Sequence, residues 1–186
     1  MSAKELTMSK LQAITVYGTL QAAPKTGDVQ TRIAMAQNVK AMESTVIPYS
    51  KVVGECIELV KEQKEAIDNK YCAKDKEGSY TVKRNEQNMV RGLSLSGLAF
   101  FPMYETEDLE KYASYDAEVI AIGKKEQIEK MTEMLDEKVT FVLETLNPNS
   151  MGTEFNNVDV TILIDLLSDN SSEASEKKET KEPNKE

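Results

Sequence analysis

Histidine does not occur in this chain of 186 residues. Imidazole is the commonest general acid or base, the usual partner of a nucleophilic serine or cysteine, and the commonest metal ligand. The sequence also has no Gly-x-x-x-x-Gly-Lys loop and no Gly-x-Gly-x-x-Gly turn, the glycine patterns that most often hold phosphates. We therefore predict a protein that is not an enzyme, with no catalytic residues, no metal ligands and no cofactor.

Carboxylates remain as a catalytic alternative, because two of them can share a metal ion or a proton. The chain has 32 acidic residues, so close pairs arise by chance on any helix surface. We favour solvated surface positions for these pairs and keep a metal-dependent enzyme as the alternative. The pairs concerned are Glu58 with Glu62, Glu107 with Glu110, and Asp159 with Asp165.

Cysteine is scarce, and Cys56 and Cys72 are the only two. Both fall in a region whose pattern predicts one long helix, in which sixteen residues at about 1.5 Å each separate them by roughly 24 Å. A disulfide cannot bridge that distance, and two thiols cannot form a four-thiolate zinc site. We therefore expect two free thiols in a reducing cytoplasm.

Basic clusters and long apolar runs are also missing. Arginine occurs only at Arg32, Arg84 and Arg91, and the formal net charge is −9. A groove that follows a phosphate backbone needs clustered Lys and Arg, so we predict no direct binding of nucleic acid. No apolar stretch approaches the length of a membrane span, and residues 1–10 lack the apolar centre of a signal peptide, so we predict no membrane partner.

Apolar residues at helical spacing dominate the amino-terminal half. Residues 9–21 predict a first helix with Ser9 as its N-cap, and Asp28 is placed to cap a second, much longer helix. The predicted buried stripe of this second helix comprises Val29, Ile33, Ala36, Val39, Met42, Val46, Tyr49, Val53, Ile57, Val60, Lys64, Ile67 and Tyr71.

Two features modify the long helix. Pro48 removes a backbone donor and clashes with the preceding turn, so we expect a kink or a break there. Charge pairs four residues apart indicate a partly solvated surface in the later half. These pairs are Lys51 with Glu55, Lys61 with Glu65, and Lys64 with Asp68.

The carboxyl-terminal half mixes strand and helix signals. A short strand is predicted at 80–83, a helix at 124–137 and alternating strands at 138–144 and 158–164, while 117–123 fits either a strand or a helix. We predict a helix-dominated α+β fold, with a long helical hairpin and a small antiparallel sheet. Residues 1–167 would form a single domain, and residues 168–186, which lack large apolar side chains, a disordered tail.

The least polar stretch, residues 92–104, is the candidate contact with a protein partner. If exposed, five of its side chains would form an apolar patch typical of interfaces. The alternative, which we favour, is that the stretch folds back over the long helix and completes the core. The five side chains are Leu95, Leu98, Phe100, Phe101 and Tyr104.

Six segments follow one another in an order that points to a known family. They are 11–20, 25–34, Asn-Val-Lys-Ala-Met-Glu at 38–43, Asp-Asn-Lys-Tyr at 68–71, Lys-Asp-Lys-Glu-Gly at 74–78, and 131–141. Over about two thirds of the chain, this order resembles a family of small uncharacterised proteins of tailed bacteriophages of Gram-positive hosts. Residues 92–104 and the acidic tail depart from the family pattern.

The resemblance implies a phage accessory or assembly-associated protein without a catalytic signature. We therefore predict a non-enzymatic interaction protein in the cytoplasm of the bacterial host or associated with the virion. Its partner would be a phage or host protein, with a homo-oligomer as an option. The alternatives are an acidic decoy that inhibits a nucleic-acid-binding host protein, and a helical chaperone that grips unfolded chains.

Overall fold

The computed structural model describes residues 2–23, 27–150 and 160–167. Within these residues the α-helices are α1 (Lys10–Ala22), α2 (Val29–Tyr71), α3 (Leu109–Gly123) and α4 (Glu126–Asp136). Its four strands are β1 (Ala3–Ser9), β2 (Gly92–Leu95), β3 (Ala99–Pro102) and β4 (Lys138–Glu144). The predicted helix-dominated α+β fold with a long helix and small antiparallel sheets is confirmed. The predicted disordered tail, 168–186, lies outside the described residues.

Local capping signals explain where the first two helices begin. The Ser9 hydroxyl accepts a hydrogen bond from the backbone N–H of Gln12, whose side chain accepts one from the N–H of Ser9. This reciprocal capping box satisfies two of the free N–H groups of α1. The Asp28 carboxylate accepts a hydrogen bond from the N–H of Thr31 at 2.7 Å, as expected for the N-cap of α2.

Helix α2 continues through Pro48, so a break there is wrong, and the alternative of a kink stays a prediction. Proline lacks an N–H and so leaves the carbonyl of Ser44 without its usual helical partner. The stretch from 117 to 123 belongs to α3 and is not a strand. The predicted strand at 158–164 is wrong for its described part, because Val160–Leu166 forms a 3₁₀ helix, and positions 158 and 159 lie outside the described residues.

Backbone contacts divide the chain into two compact units. Unit 1 contains the described residues within 1–8, 15–44 and 140–186, and unit 2 contains residues 9–14 and 45–139. The dividing point in α2 lies between Ser44 and Thr45, in the turn that precedes Pro48. The assignment of residues 1–167 to a single domain stays a prediction.

Unit 1 combines parts of α1 and α2 with the pairing of β1 and β4. The pairing is antiparallel, since Thr7 bonds to Thr140 and Ser2 to Thr145. The side-chain amide of Asn38, almost fully buried, accepts the N–H of Glu144 and donates to its carbonyl, so it extends the hydrogen bonding of β4. Apolar side chains buried in this unit include Leu20, Met42, Phe141, Leu143, Leu146 and Leu163.

Unit 2 is built around the later half of α2, with α3, α4 and the β2–β3 hairpin. The hairpin is antiparallel, and its turn at Ser96 and Gly97 has positive φ angles of 46° and 74°, a geometry that suits glycine. The larger of its two cores contains Val53, Val60, Leu95, Ile122, Ile128, Met131 and Leu135. The smaller contains Cys72, Met103, Tyr115 and Val119.

Candidate protein-binding groove

An apolar groove lies in unit 1 between the end of α1 and the first turns of α2. Its volume is about 540 Å³. We name it the α1–α2 groove; it is lined by Leu20, Gln21, Ala23, Val29, Arg32, Ile33, Met35, Ala36 and Val39.

The groove exists because the first part of α2 does not bury the face that its apolar pattern predicts. Val29 is 59% exposed and Ile33 is 43% exposed, so the predicted stripe is wrong at these positions. The helix buries another face, which includes Thr31 and Asn38. The Thr31 side chain hydrogen-bonds to the Asp28 carboxylate, and the Asn38 amide bonds to the backbone of Glu144, so both polar side chains are satisfied inside the unit.

Among the described residues that line the α1–α2 groove, Arg32 is the only one with a charged side chain. Among the described residues, no carboxylate forms an ion pair with it. The neighbouring Asp28 carboxylate is already engaged, because the backbone N–H of Thr31 and the Ser150 hydroxyl stabilise its charged form and hold its pKa below the usual range. The groove therefore offers an apolar surface and one guanidinium that can bind an anion.

The five predicted contact residues do not form one exposed patch. Leu95 is 2% exposed and belongs to the larger core of unit 2, and Leu98 and Phe101 pack against that core. Tyr104 is half-buried against the smaller core. Phe100 alone of the five is exposed, at 52%. This arrangement corresponds to the favoured alternative, in which the stretch completes the core.

Lys64 and Asp68 form a buried ion pair in unit 2, so the prediction of a partly solvated surface is wrong for this pair, whereas the place of Lys64 on the predicted buried stripe is confirmed. Each is only 4% exposed, and the Lys64 ammonium donates to the Asp68 carboxylate at 2.5 Å. The Tyr115 hydroxyl donates to the same carboxylate oxygen at 2.8 Å and accepts hydrogen bonds from Lys64 and from the N–H of Tyr104. The Tyr104 ring lies 4.6 Å from the ammonium.

This buried cluster is closed to a substrate. Burial raises the pKa of the Tyr115 hydroxyl far above its usual range, so that group stays protonated. Burial also raises the pKa of the neighbouring Cys72 thiol, which disfavours the nucleophilic thiolate. The Lys64, Asp68 and Tyr115 side chains hydrogen-bond to one another. Through them, α2 is connected to α3 and to the backbone of Tyr104, which follows β3.

The described residues also bear on the predictions about thiols, metal ligands and membrane spans. Cys56 and Cys72 are both free. Cys72 lies one residue beyond α2, where the sequence pattern had included it in the helix. Within 2–23, 27–150 and 160–167, no group of three or more Cys, Asp or Glu side chains is arranged to hold a metal ion. In the same part of the chain, every helix is too short or too polar to cross a membrane.

The α1–α2 groove was not identified from the sequence. The helical spacing of its apolar residues predicted a buried face. The same spacing occurs whether that face is buried in the core or exposed in a groove. A usable signal was the pair Thr31 and Asn38 between the apolar positions, since both types can bury a satisfied side chain. The chain matches no protein-family model, no curated protein and no solved structure at a significant level.

Proposed function

We propose that this chain is a non-enzymatic interaction protein that binds a segment of a partner protein in the α1–α2 groove. The observation that carries the proposal is the exposure of Val29 and Ile33 beside an Arg32 that has no ion-pair partner among the described residues. The resemblance to phage proteins adds that the protein is phage-encoded and that its partner is a phage or host protein.

Hydrophobic burial supplies the driving force for binding. Complete burial of a Val or Ile side chain contributes roughly 1.5–3 kcal/mol relative to full exposure. Val29 and Ile33 each retain about half of their exposure, so a partner that covers both gains roughly 1.5–3 kcal/mol from them together. The exposed Ala36 has a short side chain that lets a partner approach α2, and the remaining affinity comes from filling the groove.

The shape and charge of the groove indicate the chemistry of the partner. Val29, Ile33 and Ala36 recur at steps of four and three, so they form a straight ridge along α2. An amphipathic helix of a partner fits such a surface with its own apolar residues at the same steps. A carboxylate on that helix pairs with Arg32, because the guanidinium forms strong charge-assisted hydrogen bonds with carboxylates.

Binding of anilinonaphthalene sulfonate to the purified full chain tests the groove, because this dye combines apolar rings with one anionic group. We expect saturable fluorescence enhancement that is weakened about tenfold in Ile33→Asn. Arg32→Gln should weaken binding to a smaller extent, since only the charge contact is lost. Ile47→Asn is the matched control, because Ile47 lies on the same helix, is 48% exposed and does not line the groove.

A photoreactive residue at position 33 tests whether a partner protein uses the groove in cells. We expect it to cross-link to an apolar helical segment that carries a carboxylate, with no such product from position 47. Equal cross-linking from both positions would contradict the proposal, as would dye binding that Ile33→Asn and Ile47→Asn change alike.

A further inference from the structure

Helix α3, in unit 2, leaves one apolar side exposed to solvent. Leu109 is 85% exposed and Ile120 is 43% exposed. These residues are eleven positions apart, close to three helical turns, so they lie on the same side of α3. Ala113 and Ala117 lie between them on that side, and both are exposed. We name this surface the exposed α3 face; it comprises Leu109, Glu110, Ala113, Ala117, Ile120, Ala121 and Lys124, all of which are exposed.

The opposite side of α3 fixes the helix in unit 2. Tyr115, Val119 and Ile122 recur at steps of four and three, and each is almost fully buried. Tyr115 and Val119 belong to the smaller core of unit 2, and Ile122 belongs to the larger. Because this side supplies the packing of α3 within the unit, the exposed α3 face remains available for a contact with another molecule.

The exposed α3 face has a carboxylate near one end and an ammonium at the other. Glu110 lies in the first turn of α3, and Lys124 directly follows its last residue. Each is seven positions from Ala117, which is close to two helical turns, so both side chains lie on the same side as Ala117. Among the residues that the structure describes, none forms an ion pair with Glu110 or Lys124. Two unpaired charges of opposite sign therefore flank an apolar centre.

This charge distribution is complementary to itself in one orientation. If two copies of α3 lie antiparallel about a twofold axis at Ala117, Glu110 of each copy faces Lys124 of the other. The same axis places Ala113 opposite Ala121. These short side chains allow the two helices to approach closely, since the distance between packed helices depends on the side chains at the contact. A parallel arrangement would instead place like charges opposite each other, which is unfavourable.

We infer that the exposed α3 face binds the same face of a second copy of this chain, with the two helices antiparallel. Leu109 and Ile120 of each copy are then shielded from water, and two Glu110–Lys124 pairs form. A helix of this length provides a strip of about 22 by 10 Å, less than the roughly 800 Å² per partner of a standard interface, so the dimer dissociates on dilution. No residue of this face lines the α1–α2 groove, so the inference is independent of the proposed function.

Sedimentation equilibrium of the full-length protein, from about 5 µM to about 1 mM, tests for a reversible dimer. We expect Ile120→Asn to raise the dissociation constant of the dimer about tenfold, because an apolar contact is lost twice. Ile47→Asn is the matched control, since Ile47 is a helical isoleucine of similar exposure, 48%, outside the exposed α3 face. Ile33→Asn should also have no effect, which separates this surface from the α1–α2 groove.

Exchange of the two charges tests the antiparallel orientation. Glu110→Lys alone and Lys124→Glu alone should each weaken the dimer at least about tenfold, because the facing charges then have one sign. The double variant Glu110→Lys with Lys124→Glu should recover the wild-type affinity. A mixture of the two single variants should form a mixed dimer, since opposite charges face each other again at both ends. A fluorophore on one variant makes the mixed dimer visible in sedimentation, and circular dichroism verifies that each variant is folded.

Three results would overturn the inference. One is a protein that stays monomeric over the whole concentration range, because the exposed α3 face would then not bind itself. Another is a dimer that Ile120→Asn and Ile47→Asn change alike, which would place the contact elsewhere on the chain. The last is a mixture of the two single charge variants that associates no more tightly than either variant alone, because the facing of Glu110 and Lys124 requires the mixed dimer.

Discussion

Replacement of Asp68 by alanine should destabilise the protein strongly, whereas replacement of Glu55 by alanine, in the exposed Lys51–Glu55 pair on the same helix, should have little effect. Asp68 accepts hydrogen bonds from Lys64 and Tyr115, and all three side chains are buried. Asp68→Ala leaves a buried ammonium without its anion. Removal of one member of a buried ion pair lowers the free energy of unfolding by about 3–5 kcal/mol.

The matched control for this prediction is Glu55→Ala. Lys51 and Glu55 have the same order and spacing on the same helix, but their side chains are 77% and 67% exposed and their charged atoms lie 3.9 Å apart. Exposed pairs of this kind contribute at most about 1 kcal/mol. The difference between the two variants therefore measures burial and the Tyr115 hydrogen bond.

The measurement is thermal unfolding followed by circular dichroism, supported by urea titration. At about 2–4 °C per kcal/mol for a chain of this size, Asp68→Ala should lower Tm by about 6–20 °C. The double variant Lys64→Met with Asp68→Leu removes both charges and should recover at least about 2 kcal/mol of that loss. Equal losses of stability for Asp68→Ala and Glu55→Ala would contradict this prediction, as would a double variant less stable than Asp68→Ala.

Three further predictions concern local structure, pH and thiols. Ser9→Ala should lower the free energy of unfolding by about 1 kcal/mol, because the capping box of α1 is lost. Ser44→Ala, in the interior of α2, should not lower it. Equal urea unfolding midpoints for the two variants would contradict this prediction. A hydrogen bond from Lys70 lowers the pKa of Glu118, so its contribution to stability is present above the ordinary glutamate pKa and is lost as pH falls through the lowered value. Glu118→Gln should accordingly lose less stability than the wild type between pH 6 and pH 3 in urea titrations, and parallel losses would count against the ion pair. Burial raises the pKa of the Cys56 and Cys72 thiols, so both should react slowly with a disulfide reagent at pH 8, and the more buried Cys72 more slowly than Cys56. Single Cys→Ser variants assign each reaction rate to one thiol. Fast labelling of Cys72 in the folded protein would contradict its burial.

Local signals predicted several elements correctly because the interactions involved lie within a few residues. Ser9 and Asp28 bond to N–H groups three residues later, so a short window of sequence contains both partners. The alternation at Lys138–Glu144 likewise reflects the two faces of one strand. By contrast, residues 117–123 contain β-branched side chains that suit a strand or a helix, and their place in α3 depends on packing of Val119 and Ile122 against other elements.

Spacing and capping are properties of short segments, so the helix-dominated α+β class and the positions of the caps could be predicted from the amino-acid sequence. The face of α2 that is buried at Thr31 and Asn38 could not, and neither could the exposure of Val29 and Ile33 that forms a groove. The same holds for the difference between Lys64–Asp68 and Lys51–Glu55, two pairs of like spacing in the sequence. Burial depends on residues distant in the chain: Glu144 satisfies Asn38 across 106 positions, and Tyr115 meets Asp68 across 47.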